Sequence, residues 1–450
     1  MIDKTKYLIF ILVLTLFSSC SFDNKTGIWD GSEKEKKRIS DIEWNQKNIK
    51  KIVKVYSSTN IFKEEVIPEK NIILSEPKKI SSWSMANYNH QNFLGNIYIS
   101  GIDNVFLKKK VGKDKFSISK LKTSPLIFKN SIIIVDDRGT IYNINKQGKI
   151  NWKKNIYKKI YKKIYKNLTF AIYKQNIYIA DNLGFIYAIS LDSGEVIWIK
   201  NHGIPLKSKI KIYEGKIFLI NQDNRILALN EKDGSVIWDI RSIESFIKSQ
   251  NLLSLALPKN GYVIASTSSG DLIKANANNG DIAWSVNTLK TMLSHGTDFF
   301  KSSDIVISND KIIFSTQHAI FSFNLSNGYM NWESEVSSVG TPIIDGENIF
   351  FVTENGFFIV MDINTGEIVL SKNILKILKE RKRSTKITGF VMGSGKMYSV
   401  TLNGYLIINS ALSGEVEDFE KIGSSINSTP IIADGRLFIY TKDSKILGLN

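Results

Sequence analysis

A tryptophan recurs along most of the chain, at a spacing that indicates one repeated structural unit. Successive tryptophans are 40 to 48 residues apart, and a turn that contains glycine precedes them. Leu370 and Phe419 stand at the equivalent place in two further copies. A period of this length accommodates four short antiparallel strands. The recurring tryptophans are Trp152, Trp198, Trp238, Trp284 and Trp332.

Each copy has the residue pattern of β-structure. Short apolar runs such as Ile177–Ala180 and Phe185–Ile189 alternate with turns, and no long segment of helical period recurs. Pairs such as Ser193-Gly194 and Asp233-Gly234 suit tight hairpins that need positive φ. A single four-stranded sheet cannot bury both of its faces, but copies stacked around an axis can. The sequence therefore predicts an all-β fold, a β-propeller, because the repeats of the alternative β-helix are shorter.

The two ends of the repeat array predict how the ring closes. The last copy, from Ser428 to Asn450, stops before its fourth strand, whereas Asn104–Lys108 is a strand without the three that should precede it. If this early strand completes the final blade, the seam leaves no exposed sheet edge. We therefore predict eight blades of four antiparallel strands, the last closed by an N-terminal strand. Seven blades remain the alternative if the weaker copy at Leu252–Trp284 is misread.

The first twenty residues have the pattern of a secretory signal. Lys4 and Lys6 precede an apolar stretch at Tyr7–Phe17, which is too short to span a bilayer comfortably. Small residues then lead to Cys20, the only cysteine of the chain, and residues 16–20 resemble the lipobox of bacterial lipoproteins. That resemblance implies acylation of Cys20 and an outer-membrane anchor facing the periplasm. The alternative is an ordinary signal peptide with a chance cysteine.

These patterns divide the chain into three parts. Residues 1–19 are predicted to be a lipoprotein signal peptide, residues 20–92 a lipid-anchored tether and N-terminal segment, and residues 93–450 the propeller. With a single cysteine, the chain has no intramolecular disulfide, cysteine-based zinc site or iron–sulfur cluster.

The chain is strongly basic, with a formal net charge of +17. Lysines are spread along its whole length, but they also concentrate in Tyr157–Lys166 and Asn373–Arg383. Lysines interleaved with aromatic residues bind nucleic acid or anionic lipid in other proteins. Nucleic acid is not an expected partner outside the cytoplasm. Both stretches are thus either inter-blade loops or contacts for an acidic partner or a membrane.

The repeat resembles that of PQQ-like β-propellers, in the order Thr-Pro, Asp-Gly, Gly, then Thr/Ser-Gly-Glu and Trp. Together with the lipobox, it resembles the propeller lipoproteins of the outer-membrane β-barrel assembly machinery. Trp83-Ser84 and Asn89–Asn92 are similar to a segment ahead of the propeller in α-proteobacterial members. Phe106 replaces the usual tryptophan.

The resemblance implies a non-enzymatic scaffold. Its implied partners are the periplasmic (POTRA) domains of the β-barrel insertase, other lipoproteins of the machinery and unfolded outer-membrane proteins. By family analogy, the insertase contacts a loop that follows the tryptophan of a mid-ring blade. The corresponding residues here are Phe246, Ile247 and Lys248, after Trp238. The alternative is that they form an ordinary connecting loop.

Two other functions remain open. The first is a calcium–quinone oxidoreductase, because the repeat takes its name from quinoprotein dehydrogenases. Many such enzymes use adjacent cysteines, and this chain has only one cysteine. The second is a lipoprotein that binds a small ligand or polysaccharide in its channel.

Acidic residues such as Asp136 and Asp181 lie at repeat turns, where turn chemistry explains them. We therefore predict no catalytic or metal-binding residue and no cofactor. The histidines lack ligand spacing and are expected to be solvated: His90, His202, His295 and His318.

Overall fold

The structure is a computed structural model, and it describes residues 62–68, 70–113, 123–161, 164–242, 252–288, 302–378 and 385–450. Within these ranges, strands dominate, and the helical elements that span several residues are the short 3-10 helices Lys159–Tyr161 and Ile374–Ile377. None of the helices described there has the length and apolar character needed to cross a bilayer.

In the described residues, thirty-two strands form eight separate four-stranded antiparallel sheets, which are the blades of a β-propeller. Blade 1 contains β2 (Leu126–Phe128), β3 (Ser131–Val135), β4 (Thr140–Asn145) and β5 (Ile150–Asn155). Blade 2 contains β6 (Leu168–Tyr173), β7 (Asn176–Asp181), β8 (Phe185–Ser190) and β9 (Val196–Asn201). Blade 3 contains β10 (Lys211–Tyr213), β11 (Lys216–Ile220), β12 (Arg225–Asn230) and β13 (Val236–Arg241). Blade 4 contains β14 (Leu255–Ala256), β15 (Tyr262–Ser266), β16 (Asp271–Asn276) and β17 (Ile282–Asn287).

The remaining four blades follow in chain order. Blade 5 contains β18 (Val306–Ser308), β19 (Lys311–Ser315), β20 (Ile320–Asn324) and β21 (Met330–Ser334). Blade 6 contains β22 (Ile343–Asp345), β23 (Asn348–Val352), β24 (Phe357–Asp362) and β25 (Ile368–Asn373). Blade 7 contains β26 (Ile387–Gly393), β27 (Lys396–Thr401), β28 (Tyr405–Ser410) and β29 (Val416–Lys421). Blade 8 contains β30 (Ile431–Ala433), β31 (Arg436–Tyr440), β32 (Lys445–Leu449) and β1 (Val105–Lys110).

The first strands of neighbouring blades contact one another around the central channel, as β2 contacts β6 and β6 contacts β10. We call the face that carries the turns between first and second strands the turn face. Residues 129–130 and 346–347 lie there. The opposite face carries the turns between second and third strands and the loops between blades, such as residues 137–139 and 156–167. We call it the loop face.

The predicted closure of the ring is confirmed. β1 pairs antiparallel with β32, from Val105 opposite Leu449 to Lys110 opposite Lys445. The blade count is eight, and the alternative of seven is wrong, because β14–β17 form a complete blade of their own. The last strand of the sequence therefore gains a partner from the beginning of the propeller, which leaves β32 without a free edge.

Each recurring tryptophan joins its blade to the next one. The indole of Trp332 donates a hydrogen bond of 3.0 Å from Nε1 to the carbonyl of Ile363. It also lies over Gly366, where an added Cβ would stand 2.6 Å from the ring. The glycine has a φ of +74°, as the predicted hairpin requires. Trp152, Trp198, Trp238 and Trp284 make the equivalent bonds to Leu191, Glu231, Ala277 and Leu325.

Two of the predicted tryptophan equivalents are wrong by one residue. Leu370 stands opposite Val360, just before the β-bulge, as Trp238 stands opposite Ala228. In blade 7, however, Asp418 occupies that register position, and Phe419 is 41% exposed. In blade 8 the position belongs to Leu107, opposite Gly448, rather than to Phe106. A slip of one residue along a strand moves a side chain to the other face of the sheet.

Candidate functional site: a central channel filled by the chain itself

Residues 80–97 cross the turn face and fill the mouth of the central channel; we call them the plug. Their carbonyls accept hydrogen bonds from the ends of first strands in most blades. Trp83 additionally exchanges two backbone hydrogen bonds with Ile127 of blade 1, at 2.6 and 3.0 Å. The other backbone donors to the plug are Ile172, Leu257, Ile307, Ile344, Ser394 and Asp434, from blades 2, 4, 5, 6, 7 and 8.

Blade 3 contacts the plug through side chains instead. The Nζ atom of Lys211 donates to the carbonyls of Ala86 and Asn89, at 2.9 and 2.6 Å. Nε2 of His90 donates to the carbonyl of Ile212 at 2.7 Å. Burial lowers the pKa of Lys211 to about 7, and the charge of neighbouring Lys209 lowers it as well. The plug thus contacts the innermost strand region of all eight blades.

The plug also carries its own anchors into the channel wall. The amide of Asn92 is 1% exposed, and its Nδ2 donates to the carbonyls of Leu255 and Ile305, at 2.9 and 2.7 Å. Trp83 and Leu94 are 3% and 5% exposed. Because these side chains belong to the propeller's own core, removing the plug would expose apolar surface and leave buried carbonyls without donors.

A charged cluster lies beside the plug and is centred on Asp304. Its Oδ2 atom accepts hydrogen bonds from Lys209 Nζ at 2.5 Å, Asn87 Nδ2 at 2.7 Å and Thr341 Oγ1 at 3.0 Å. Burial alone would raise the pKa of this carboxyl. The ammonium of Lys209, the Asn87 amide and the charge of Lys211 together hold the pKa below its ordinary value.

We tested whether this channel fits the calcium and quinone of the dehydrogenase alternative. The buried carboxylate of Asp304 already has the ammonium of Lys209 where a cation would lie. Across the residues that the structure describes, no three His, Cys, Asp or Glu side chains are grouped as metal ligands. The plug occupies the turn-face mouth of the channel. The donor set therefore does not fit a calcium–quinone pair.

The acidic turn residues serve the backbone, as predicted. Asp136 Oδ1 accepts from the amides of Arg138 and Thr140, at 3.0 and 2.8 Å. Asp181 Oδ1 accepts from Leu183 and Phe185, at 2.9 and 2.8 Å. Burial raises the pKa of both carboxyl groups. Their geometry is that of Asx turns rather than of a ligand cluster.

A second N-terminal segment, residues 62–68, adds to the outer edge of blade 6. Val66 and Ser371 of β25 exchange two backbone hydrogen bonds of 3.0 Å. Glu65 forms an ion pair of 2.8 Å with Lys376, and the ring of Phe62 meets Phe357 edge-on at 5.6 Å. The chain thus covers one of its own blade edges before it reaches the plug.

The predicted site residues fall partly outside the described structure. Cys20 and the loop residues Phe246, Ile247 and Lys248 lie outside the described residues. The described parts of both basic stretches lie in inter-blade connections on the loop face, and all of Tyr157–Lys166 is described except residues 162–163. In the second stretch, the described part ends at residue 378.

The histidine prediction was wrong in part. His318 is exposed, but His90 and His202 are partly buried, and burial lowers the pKa of each imidazole. His90 serves the plug through its bond to Ile212. His295 lies outside the described residues.

Comparison with known proteins identifies the family. A model of the family described as outer membrane protein assembly factor BamB matches residues 137–372, just over half of the chain. The chain belongs to the BamB family. BamB of Moranella endobia is 21% identical over 272 residues, which are 55% of this chain and 65% of that protein. BamB of Shewanella oneidensis is 23% identical over 338 residues, 62% of this chain and 83% of that protein. The matched region thus spans slightly less than two thirds of the Moranella protein.

Solved structures share the propeller fold. BamB from Moraxella catarrhalis superposes with a TM-score of 0.61 at 12% identity, covering 77% of this chain and 98% of that one. The quinohemoprotein alcohol dehydrogenase of Comamonas testosteroni gives 0.62 at 10% identity, covering 82% and 80%. At such identities the superpositions show the propeller fold alone, and they do not distinguish a scaffold from an enzyme.

Proposed function

We propose that this protein is a non-enzymatic scaffold of the machinery that assembles β-barrel proteins in the outer membrane. In this proposal it is a lipoprotein anchored through Cys20 and facing the periplasm. Family membership supports the role, and one structural observation carries it. The central channel, where a propeller enzyme would hold a cofactor, is filled by the chain's own plug, with Lys211 and Asn92 as internal anchors.

The surfaces left for partners are then the rim and the loop face. Loops on a rigid scaffold are the usual carriers of recognition. We place the contact with the periplasmic POTRA domains of the insertase at Phe246, Ile247 and Lys248, after Trp238. The further partners we propose are other assembly lipoproteins and unfolded outer-membrane proteins, which a blade edge would guide by strand addition.

A pull-down with the insertase's periplasmic domains tests the proposed docking loop. The variant Phe246→Asp with Lys248→Glu should recover much less insertase than the unsubstituted chain. Leu412→Asp with Lys232→Glu makes the same change of charge at exposed turn residues elsewhere, and it should recover as much as the unsubstituted chain. Equal recovery with both double variants would reject the docking loop.

A further inference from the structure

The inter-blade loop Tyr157–Lys166 presents aliphatic side chains to solvent among lysines. Ile160, in the 3-10 helix Lys159–Tyr161, is 77% exposed, and Ile164 is 43% exposed. Lys158 and Lys159, which immediately precede Ile160, are exposed as well. A single exposed aliphatic residue is ordinary on a protein surface, but here two lie in one short loop together with two exposed lysines.

The aromatic residues of the loop point inward and hold it. Tyr157 is 6% exposed, and its hydroxyl donates a hydrogen bond of 2.7 Å to Asp181 Oδ2. Its ring fills the space that a Cβ at Gly139 would occupy. Tyr161 packs edge-on against Phe185, with ring centroids 5.8 Å apart. Burial raises the pKa of Tyr157, which keeps the hydroxyl a donor to the carboxylate.

Lys166 closes the far end of the loop. Its Nζ atom donates to the carbonyls of Tyr161 and Ile164, and it lies 4.9 Å from the ring centroid of Tyr157. The buried side chains of Tyr157 and Lys166 thus anchor both ends of the loop. Ile160 is therefore exposed in a loop that is anchored to the propeller.

This arrangement favours a membrane surface over other partners. Nucleic-acid binding by stacking needs exposed aromatic faces, and here the tyrosines are turned inward. Protein interfaces are enriched in aromatic residues and depleted in lysine, which is the reverse of this surface. An aliphatic side chain flanked by lysines suits an anionic bilayer, where the aliphatic group enters the headgroup region and the ammonium groups meet lipid phosphates.

The position of the loop agrees with this partner. Phe62, the first described residue, accepts a hydrogen bond of 2.9 Å at its carbonyl from Asn355, which lies in a turn of the loop face. Phe62 therefore lies on the same face that carries Ile160. The plug crosses the opposite face.

We infer that residues 158–160 of this loop dock on the surface of an anionic bilayer, with Ile160 among the lipid headgroups and Lys158 and Lys159 on their phosphates. This contact deepens the proposed membrane anchoring, because it gives the anchored propeller a second attachment on its loop face.

An environment-sensitive fluorophore on an Ile160→Cys variant tests the contact. The full chain also carries Cys20→Ser, so the introduced thiol is the only one and acylation plays no part. Vesicles of phosphatidylcholine with about one third phosphatidylglycerol should shift the emission to the blue, and pure phosphatidylcholine vesicles should not. Because the signal is local to residue 160, vesicle binding through the N-terminal residues does not produce it.

Two matched variants complete the experiment. Adding Lys158→Glu and Lys159→Glu should abolish the shift. The same label on Ile73→Cys, a 75% exposed position beside Gly346 of the turn face, should not respond. An unchanged spectrum at residue 160 with both vesicles would overturn the inference, as would an equal shift with both. A response to polyglutamate but not to vesicles would assign the loop to an acidic protein instead. None of these outcomes depends on insertase binding.

Discussion

The ammonium group of Lys211 lies 2.6 Å from the carbonyl oxygen of Asn89, and this hydrogen bond ties the third blade to the plug. Every other blade reaches the plug through its backbone. The lysine is fully enclosed, and burial lowers its pKa to about 7 from the usual 10.5. The plug is therefore built into the propeller core, and its contacts should be visible in the stability of the whole domain.

Stability should depend on pH through Lys211. Between pH 7 and about 10, the unfolded chain keeps a proton on this lysine that the folded chain has released, so stability rises with pH there. Relative to a Lys211→Met variant, the unfolding free energy should rise by about 1.4 kcal/mol per pH unit in that window. Urea titrations at pH 7, 8 and 9 measure this difference. An exposed lysine variant, Lys232→Met, should show no such slope, and parallel curves for Lys211→Met would contradict the buried position.

Loss of the Asp304 carboxylate should destabilise the propeller strongly. Asp304→Asn leaves Lys209 and Lys211 without their neutralising charge in a buried site, which costs about 3 kcal/mol or more. Asp434→Asn breaks the ion pair of 2.7 Å with Lys146, where the carboxylate is 47% exposed, and it should cost less than about 1 kcal/mol. Thermal unfolding of both variants checks the contrast. A similar loss of stability in both variants would mean that the ion pair of Asp304 and Lys209 is not desolvated in the channel.

The packing of Trp332 on Gly366 predicts a steric cost that is separable from backbone strain. Gly366→Ala places a Cβ 2.6 Å from the indole, whereas Gly203→Ala, at the same φ of +74°, meets nothing within 4 Å. Strain alone costs about 1 kcal/mol, so the Gly203 variant should lose that much and the Gly366 variant clearly more. Chemical denaturation measures both. The excess should shrink when Trp332→Leu is combined with Gly366→Ala, and an excess that persists would contradict the contact.

The filled channel predicts no quinone chemistry. After incubation with pyrroloquinoline quinone and Ca²⁺, the protein should neither reduce an acceptor dye in the presence of alcohols nor quench the quinone fluorescence. The reason is that Lys209 already neutralises Asp304 and that the plug fills one mouth of the channel. A quinoprotein alcohol dehydrogenase treated in parallel serves as the positive control. Saturable quenching of the quinone fluorescence would contradict the conclusion that the channel does not fit a quinone.

The ring was predictable because its determinants are local and periodic. A tryptophan in five of the eight blades, with a glycine in the facing turn of the next blade, indicates the contact between successive blades, and the separate strand at Asn104–Lys108 indicates the seam. The β-bulge in each outer strand has no such signal. The prediction from residue spacing alone therefore assigned the position of the tryptophan to Phe419 and Phe106, whereas the strand register gives it to Asp418 and Leu107.

The channel cluster was not predictable from spacing. Lys209 and Asp304 belong to the blade 3 and blade 5 regions, 95 residues apart, and only the closed ring brings them together. The plug did have a sequence signal, in Trp83-Ser84 and Asn89–Asn92. Its position across the mouth of the channel depends on contacts with every blade, and these contacts cannot be inferred from the residues of one repeat at a time.

The proposal that the protein is an assembly scaffold is tested most directly by purifying it with its native companions. The tagged chain, isolated from outer membranes in mild detergent after brief crosslinking, should bring with it the β-barrel insertase that carries periplasmic POTRA domains. Recovery from the outer membrane without the insertase, or recovery from the soluble periplasmic fraction, would contradict the account.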